Sequence, residues 1–546
     1  MTEKIVKVQT CYGPINGCVK TSVLGRDYYS FQAIPYMKKP IGKLRFADPQ
    51  PPENWSEPLD CTKEGPAFSN VFFLDNQYQG DLSGVHINVY TNNINPTKPY
   101  AVLLWIHGGG VFTGNALESI TGPDYFMQKN VVLVTFQYRI GIFGFLSLDD
   151  PELNIPGNAQ FRDHIMAMKW VQENIANFGG DPNNVTLFGE SWGGGATGYH
   201  MISPKSKGLF HRGILMSGTP LNNIYSFMPR RNWALRLCLI LGYSGPHDDK
   251  HILEFLENVD EKELAIASGK VMTDREKNEE AFMFPFGPVI ETYDNGNAFI
   301  TEDIINMVKN AWGNQIDILI GNTSNECISF AAMIKTQEAL DSFKSFQRQV
   351  PRDLELELDS PKRLEYAEQL KKYYYGCLEP SISNLEGLMQ VSNDSCLWHP
   401  MYRFIKARLE NKSGKTFNYR FDYVTENNLW RSFLKIDEIY QGACHADDCC
   451  YIFKMKGLEG ENFKLEVDSE AFNGIKLMTT MFVNFATYGN PNVEELKNVE
   501  WQEATKENPF IGLNINEKEC KLMIIPELER VKIFDEFYHE QKKVLY

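Results

Sequence analysis

The fold is decided at residues 185–196, which run VTLFGESWGGGA. A short apolar strand leads into Gly189-Glu190-Ser191-Trp192-Gly193, which fits the G-x-S-x-G pattern of a nucleophile elbow. Such a turn is sharp and strained, so it needs small flanking residues where the chain packs tightly. It also aims the serine oxygen at the N-terminus of the next helix. The motif and its setting predict that Ser191 is a nucleophile between a strand and a helix.

Other short apolar runs, bounded by turn residues, predict buried strands of a largely parallel sheet. A helix is predicted from Phe161 to Asn177, because its apolar residues recur every three or four positions. This alternation of strands and helices predicts an α/β fold with a large, mostly parallel sheet flanked by helices. Without a proline- or serine-rich linker, residues 1–546 are expected to form one domain, and the charged stretch 348–372 a solvated helical insertion. The predicted strands are 101–106, 131–137, 185–189, 213–217, 316–320 and 416–421.

The formal net charge of -16 argues against a nucleic-acid partner, because phosphate binding requires a basic patch. It also argues against docking on an anionic membrane. The N-terminus has no apolar core of signal-peptide length, and no apolar run is long enough to span a bilayer. These features predict a cytoplasmic protein without membrane insertion. The 11 cysteines are scattered, and adjacent Cys449-Cys450 lacks chelating spacing, so no metal is expected.

A second motif, Trp105-Ile106-His107-Gly108-Gly109-Gly110, also follows an apolar strand. Successive glycines leave backbone N–H groups uncrowded, which is typical of an oxyanion hole. Its position upstream of the elbow favours this function over an ordinary loop.

A serine nucleophile needs a base and an orienting acid, expected after it in the order acid, then histidine. Glu326 follows a buried strand and a polar turn, which places it at the ligand-binding edge of an open sheet. His445 lies in a late loop of small residues. Order and placement favour this pair, but spacing alone leaves other carboxylates and histidines open.

Taken together, these motifs resemble the type-B carboxylesterases, also called the cholinesterase-like family. The resemblance extends over nearly the whole chain, and the segment around His445 looks most like insect α-esterases. It implies an α/β-hydrolase fold with helical insertions. Further matching segments are 12–17, 31–36, 44–46, 138–141, 157–158, 174–182 and 442–448.

The resemblance also implies a role for each matching residue. Ser191 corresponds to the nucleophile, Glu326 to the triad acid and His445 to the general base. The backbone N–H groups of Gly109, Gly110 and Trp192 correspond to the oxyanion donors. The side chains implied for the substrate pocket are Ile224, Phe282 and Phe284.

The chain departs from the family pattern at three places. Trp192 replaces the usual small residue after the nucleophile, and its indole is expected to narrow the pocket. Cys327 stands where the family has glycine after the acid. Asp81-Leu82-Ser83 replaces a Glu-Asp-Cys segment, so an early disulfide is not expected. The choline-binding tryptophan is also absent from residues 72–80, which argues against an acetylcholinesterase.

The expected reaction is two-step acyl transfer on small to medium hydrophobic esters, xenobiotics or insecticides, without a cofactor. Alternatives are a slow esterase that sequesters organophosphates and a juvenile hormone or pheromone esterase. Juvenile hormone esterases usually have glutamine before the nucleophile, where this chain has Glu190. A non-catalytic adhesion relative is the remaining alternative, although such proteins usually lose a triad residue. A monomer or weak homodimer is expected.

Overall fold

The computed structural model describes residues 4–72, 76–224, 232–280, 284–411, 414–436, 439–460, 463–496 and 499–545. Within these residues the strands are β1 Ile5–Gln9, β2 Pro14–Thr21, β3 Asp27–Pro35, β4 Leu59–Asp60, β5 Asn70–Val71, β6 Tyr78–Gln79, β7 His86–Thr91, β8 Tyr100–Ile106, β9 Val132–Phe136, β10 Gly180–Glu190, β11 Arg212–Met216, β12 Asp317–Thr323, β13 Thr416–Phe421, β14 Ile511–Ile515 and β15 Lys521–Ile524.

The helices of the same residues are α1 Glu118–Thr121, α2 Ile142–Phe145, α3 Ala159–Asn174, α4 Trp192–Ile202, α5 Trp233–Ile240, α6 Asp249–Asn258, α7 Glu261–Ser268, α8 Asp274–Glu279, α9 Ile304–Lys309, α10 Ser329–Met333, α11 Gln337–Phe343, α12 Pro361–Tyr375, α13 Glu386–Asn393, α14 His399–Asn411, α15 Leu429–Phe433, α16 Glu470–Tyr488 and α17 Leu528–Glu540. A widened π-helical turn, Asp394–Trp398, joins α13 to α14.

One large sheet has the strand order β1-β2-β3-β7-β9-β8-β10-β11-β12-β13-β14-β15, and β4 pairs with β2 at its side. Neighbouring strands from β9 to β14 are parallel, while the pairs outside this centre are antiparallel except for β2 and β4, which are parallel. This confirms the predicted mostly parallel sheet. That the whole chain forms one domain stays a prediction.

Apolar side chains cover both faces of the sheet. Along β8, Val102 and Leu104 belong to one buried cluster, while Leu103 and Trp105 belong to another. Successive side chains of a strand point to opposite faces, so a strand with helices on both sides is apolar throughout. Helices α3 and α4 contribute to the first cluster and α16 to the second. The sheet is therefore enclosed between helical layers.

The prediction of a solvated helix over residues 348–372 is wrong in its first half. Helix α12 begins only at Pro361, whose position suits a residue without a backbone N–H, and the Ser360 hydroxyl caps it. Before it lie short 3-10 turns, and Arg348 and Asp353 are buried there. Charge composition alone did not reveal that these side chains find partners inside the fold.

Candidate active site

The chemistry-bearing segments meet at one edge of the sheet. Ser191 follows β10, the glycine run follows β8, and Glu326 follows β12. His445 lies on the long connection after β13. Since the carboxyl ends of parallel strands share one edge, residues far apart in sequence come together there.

Ser191 lies in a strained turn between β10 and α4. Its backbone has φ +58° and ψ -122°, in a region that residues with a side chain rarely adopt. Its N–H donates to the Met216 carbonyl oxygen over 2.8 Å, which fixes the turn against β11. The strain exposes the serine oxygen at the head of the helix.

The flanking glycines of the motif are required by close approach of the backbone. A Cβ atom on Gly193 would lie 2.0 Å from the Ile106 carbonyl oxygen. One on Gly189 would lie 2.4 Å from the Gly193 carbonyl carbon. Any larger residue at either place would therefore push β8, β10 and α4 apart.

The glycine run after β8 curls beside Ser191. Gly109 has φ +119° and Gly110 has φ +58°, and a Cβ on Gly109 would lie 2.1 Å from the Thr113 carbonyl oxygen. The N–H groups of these two glycines have no hydrogen-bond partner among the described residues. Trp192 is the first residue of α4, so its N–H points out of the helix N-terminus beside Ser191. This arrangement suits a developing oxyanion.

Ser191, His445 and Glu326 form one chain of hydrogen bonds. The distance from His445 Nε2 to Ser191 Oγ is 2.8 Å, and that from His445 Nδ1 to Glu326 Oε2 is 2.5 Å. The other oxygen of Glu326 accepts from the Ser217 hydroxyl over 2.6 Å and from the Thr323 N–H over 2.7 Å. Both oxygens of the acid are thus held, so one is kept directed at the histidine.

Glu190 is a site residue that sequence reasoning used only as a family marker. Its Oε1 lies 3.1 Å from His445 Nε2, the same nitrogen that faces the serine. Burial raises the pKa of Glu190 to about 7, although the charge of His445 opposes that shift. Burial alone would lower the pKa of His445, but the carboxylates of Glu190 and Glu326 outweigh it and raise the pKa to about 9. The two groups therefore titrate as a coupled pair.

A further carboxyl group, Asp448, lies behind the histidine. It is fully buried and accepts a hydrogen bond from the Tyr419 hydroxyl over 3.0 Å. Burial, reinforced by the charges of Glu190 and Glu326, raises the pKa of Asp448 well above its usual range. No sequence signal beyond adjacency to His445 indicated this position.

The Trp192 indole does not have the place expected from sequence. It is 1% exposed and packs under the turn against Phe145, Phe161 and Tyr199. Its N–H donates to the Gln160 side-chain oxygen over 2.8 Å. The expectation that the ring narrows the pocket is therefore wrong, because α4 turns this side chain into the core.

A cavity of about 360 Å³ opens above Ser191. Ile224 and Phe284 line it, as predicted, whereas Phe282 lies outside the described residues. Phe284 packs against Phe112 with ring centroids 4.9 Å apart. The lining also includes Phe330, Leu397 and Trp430, which lie on α10, the π-helical turn and α15.

The part of the chain that the structure describes contains no group of three or more histidine, cysteine, aspartate or glutamate side chains placed to hold a metal ion. No helix in the described ranges is both long enough and apolar enough to cross a membrane.

The chain is similar to known proteins along nearly its whole length. Residues 3–534 match the carboxylesterase family. Esterase B1 of Culex pipiens is 35% identical, with 98% of this chain and 99% of the relative covered. Juvenile hormone esterase of Tribolium castaneum is 32% identical, with 92% and 86% covered. The crystal structure of juvenile hormone esterase from Manduca sexta, with OTFP covalently attached, superposes with a TM-score of 0.86 at 27% identity, covering 98% of this chain and all of that one.

The chain belongs to the carboxylesterase family and has the α/β-hydrolase fold. It is a carboxylic ester hydrolase, as its similarity to named esterases along nearly its whole length supports. The resemblance inferred from its motifs is confirmed.

Proposed function

We propose that this esterase hydrolyses neutral, apolar carboxylic esters through the triad Ser191, His445 and Glu326. The observation that carries the proposal is the unbroken hydrogen-bond chain from Glu326 to Ser191 at the floor of an apolar cavity. No lysine or arginine is among the described residues that line this cavity, whereas the carboxyl groups of Glu190 and Glu326 are, so an anionic substrate is disfavoured.

In the proposed first step, Ser191 Oγ attacks the ester carbonyl carbon while His445 Nε2 accepts its proton. Glu326 holds Nδ1–H and stabilises the imidazolium. The carbonyl oxygen takes up the negative charge and is bound by the N–H groups of Gly109, Gly110 and Trp192, each worth roughly 3 kcal/mol in such sites. His445 then donates its proton to the departing alcohol, which leaves an acyl-serine. Water, deprotonated by the same histidine, releases the acid and restores Ser191.

The decisive experiment is Ser191→Ala, assayed with a short-chain aryl ester in rapid-mixing and steady-state modes. Both the burst and the steady-state turnover should disappear, because no acyl-enzyme can form. If this variant retained turnover, the proposed triad would be contradicted. In the parent protein, a burst followed by slow release would indicate sequestration, which the aryl carboxylate ester reports for acyl groups and an aryl phosphate ester for phosphoryl groups; equal rates would indicate turnover.

For the natural substrate class we propose small to medium hydrophobic esters, including xenobiotics and insecticides. The aromatic and aliphatic cavity wall supports this class, as does the likeness to Esterase B1. Juvenile hormone is a second candidate, favoured by the likeness to two juvenile hormone esterases. A screen of esters that vary separately in acyl and alcohol size, with juvenile hormone included, distinguishes them by kcat/KM.

We further propose a cytoplasmic location and a monomer or weak homodimer. Nine cysteines of the described residues are free thiols, which supports a reducing compartment; they are Cys11, Cys61, Cys238, Cys327, Cys377, Cys396, Cys444, Cys449 and Cys450. Cell fractionation and sedimentation velocity test these two points.

A further inference from the structure

The loops that carry the acid and the base are bonded directly to each other. The Asn325 N–H donates to the Ala443 carbonyl oxygen over 3.0 Å. The His445 N–H donates to the Glu326 carbonyl oxygen over 3.1 Å. These two backbone bonds join the loops on either side of the catalytic pair but leave the rest of the acid loop to be held by other contacts.

Asn393, the last residue of α13, contacts the acid loop on both sides of Glu326. Its side-chain oxygen accepts from the Cys327 N–H over 2.6 Å, and its side-chain nitrogen donates to Asn325 Oδ1 over 2.8 Å. Asn393 is 2% exposed, so solvent does not compete for these bonds. One amide thus fixes the residues immediately before and after the acid.

The contact continues from the acid loop to the base loop. The Asn325 side-chain nitrogen donates to the Gln441 carbonyl oxygen over 3.0 Å, four residues before His445. Each amide uses its oxygen as an acceptor and its nitrogen as a donor. A side chain that lacks either group cannot reproduce the arrangement.

The support behind Asn393 is rigid. The next residue, Asp394, is fully buried and accepts from Arg530 over 2.8 and 3.0 Å and from the Tyr374 hydroxyl over 2.7 Å. The π-helical turn that starts there is closed by a bond from the His399 N–H to the Asp394 carbonyl oxygen. The residue that follows Asn393 is therefore anchored to α12 and α17, which limits the movement of Asn393.

We propose that Asn393 is a positioning residue for ester hydrolysis, which sets Glu326 against His445 through the Cys327 N–H and Asn325. The proposal rests on the triad of the proposed function. Without Asn393 the acid loop gains freedom, and the bond from Glu326 to Nδ1 is lost for part of the time. The imidazolium formed in the transition state is then less stabilised. KM is expected to change little, because Asn393 itself does not line the cavity.

The test compares Asn393→Ala with Gln349→Ala. Gln349 is a matched control, because this buried amide bonds Ser392 over 2.9 Å and Ser395 over 2.7 Å on the same stretch but touches neither catalytic loop. For Asn393→Ala, kcat should fall between about tenfold and a hundredfold with KM within about twofold, the scale of a slightly misplaced catalytic group. Gln349→Ala should lose stability to urea but keep kcat.

A pH profile provides a reading that a merely structural role would not move. The carboxyl groups of Glu326, Glu190 and Asp448 face His445 and remain in both variants. Loosening Glu326 weakens its support of the imidazolium, so the acid limb of kcat/KM should move to lower pH in Asn393→Ala alone. Asn325→Ala removes the same bond from the other side, and should reproduce the shift if Asn393→Ala does not fold.

Unchanged kcat in a folded Asn393→Ala or Asn325→Ala protein would overturn the proposal, as would an equal loss of kcat in Gln349→Ala. Ser191→Ala is measured alongside. If it retained turnover, the proposed triad would fail whatever Asn393 does. If it is inactive while Asn393→Ala is normal, only the positioning role fails.

Discussion

Glu190 is next to the proposed nucleophile Ser191 in sequence and next to the proposed base His445 in space. Its carboxylate faces His445 Nε2, where a positive charge appears during the reaction. The same charge that stabilises the imidazolium also raises the pKa of His445, so neutral histidine becomes scarce as pH falls. The charge of Glu190 therefore both stabilises the transition state and reduces the fraction of neutral His445 at low pH.

Glu190→Gln should therefore shift the acid limb of the pH dependence of kcat/KM to lower pH. The base must be neutral to accept the serine proton, and removing a carboxylate 3.1 Å away lowers its pKa. The limb is measured with a neutral aryl ester from pH 5 to 10. Glu57→Gln, at an exposed position, is the control and should leave the limb in place. An unmoved limb in Glu190→Gln would contradict the assignment.

Trp192→Ala should destabilise the protein rather than enlarge its pocket. Truncating a fully buried tryptophan typically costs roughly 3–5 kcal/mol in the free energy of unfolding. Urea titration measures this loss, and the ester screen checks the selectivity. Trp430→Ala is the matched control, because that ring lines the cavity and its loss should favour bulkier esters. If Trp192→Ala accepted bulkier esters and kept its stability, the indole would line the pocket and this prediction would be contradicted.

Ser191, Trp192 and Asn393 show which parts of the site could be predicted from sequence and which could not. The glycine spacing around Ser191 predicts the sharp turn there, because Gly189 and Gly193 each lie where a Cβ atom would clash with nearby backbone. Trp192 was misplaced because the direction of a side chain at a helix start depends on what α4 packs against. Asn393 gave no signal, because its partners lie 66 and 68 residues away. Order along the chain favoured Glu326 and His445, but only the fold brings them within hydrogen-bond distance.

At the scale of elements, α3 and α4 are joined by a buried pair of histidines. His164 Nδ1 lies 3.0 Å from His200 Nε2, and His200 Nδ1 lies 2.7 Å from the Ser206 hydroxyl. Burial lowers the pKa of His200 to about 3 and that of His164 well below its usual range. Both side chains are therefore neutral in the folded protein near neutral pH.

This pair should make the fold sensitive to acid. Below about pH 6.5 these two histidines bind protons in the unfolded chain but not in the folded chain. The free energy of unfolding therefore falls by about 1.4 kcal/mol per pH unit for each histidine. The effect is absent above that pH. His200→Gln should show a smaller difference in urea midpoint between pH 7.5 and 5.5 than the parent. His247→Gln, at an exposed position, should match the parent, and an identical slope in all three proteins would contradict this account.

At the scale of the whole molecule, α17 ties the end of the chain to the wall of the cavity. Arg530 bonds both oxygens of Asp394, and the π-helical turn that begins there carries Cys396 and Leu397 to the cavity. Burial raises the pKa of Asp394 to about 6 even though Arg530 opposes the shift. The last helix is thus part of the support of the site.

Arg530→Met should lower the free energy of unfolding by about 3 kcal/mol, because it leaves a buried carboxylate without its cation. Arg530→Lys is the comparison, since it keeps the charge but loses the forked geometry, and should lose less. Urea midpoints of the three proteins measure the order. Equal stability of parent and Met variant would show that Tyr374 alone satisfies Asp394.

The meeting of β8, β10, β12 and β13 at one edge also has a consequence for how the enzyme comes into being. Ser191 and His445 are separated by 254 positions along the chain. The nucleophile, its oxyanion donors and finally the acid therefore emerge from the ribosome well before the base exists. Contacts this distant in sequence close slowly, because the entropy of a long loop must be lost first. A nascent chain that has not reached His445 therefore lacks the proposed base, and we expect the capacity to hydrolyse esters to arise only after that residue has been synthesised and the strands have paired.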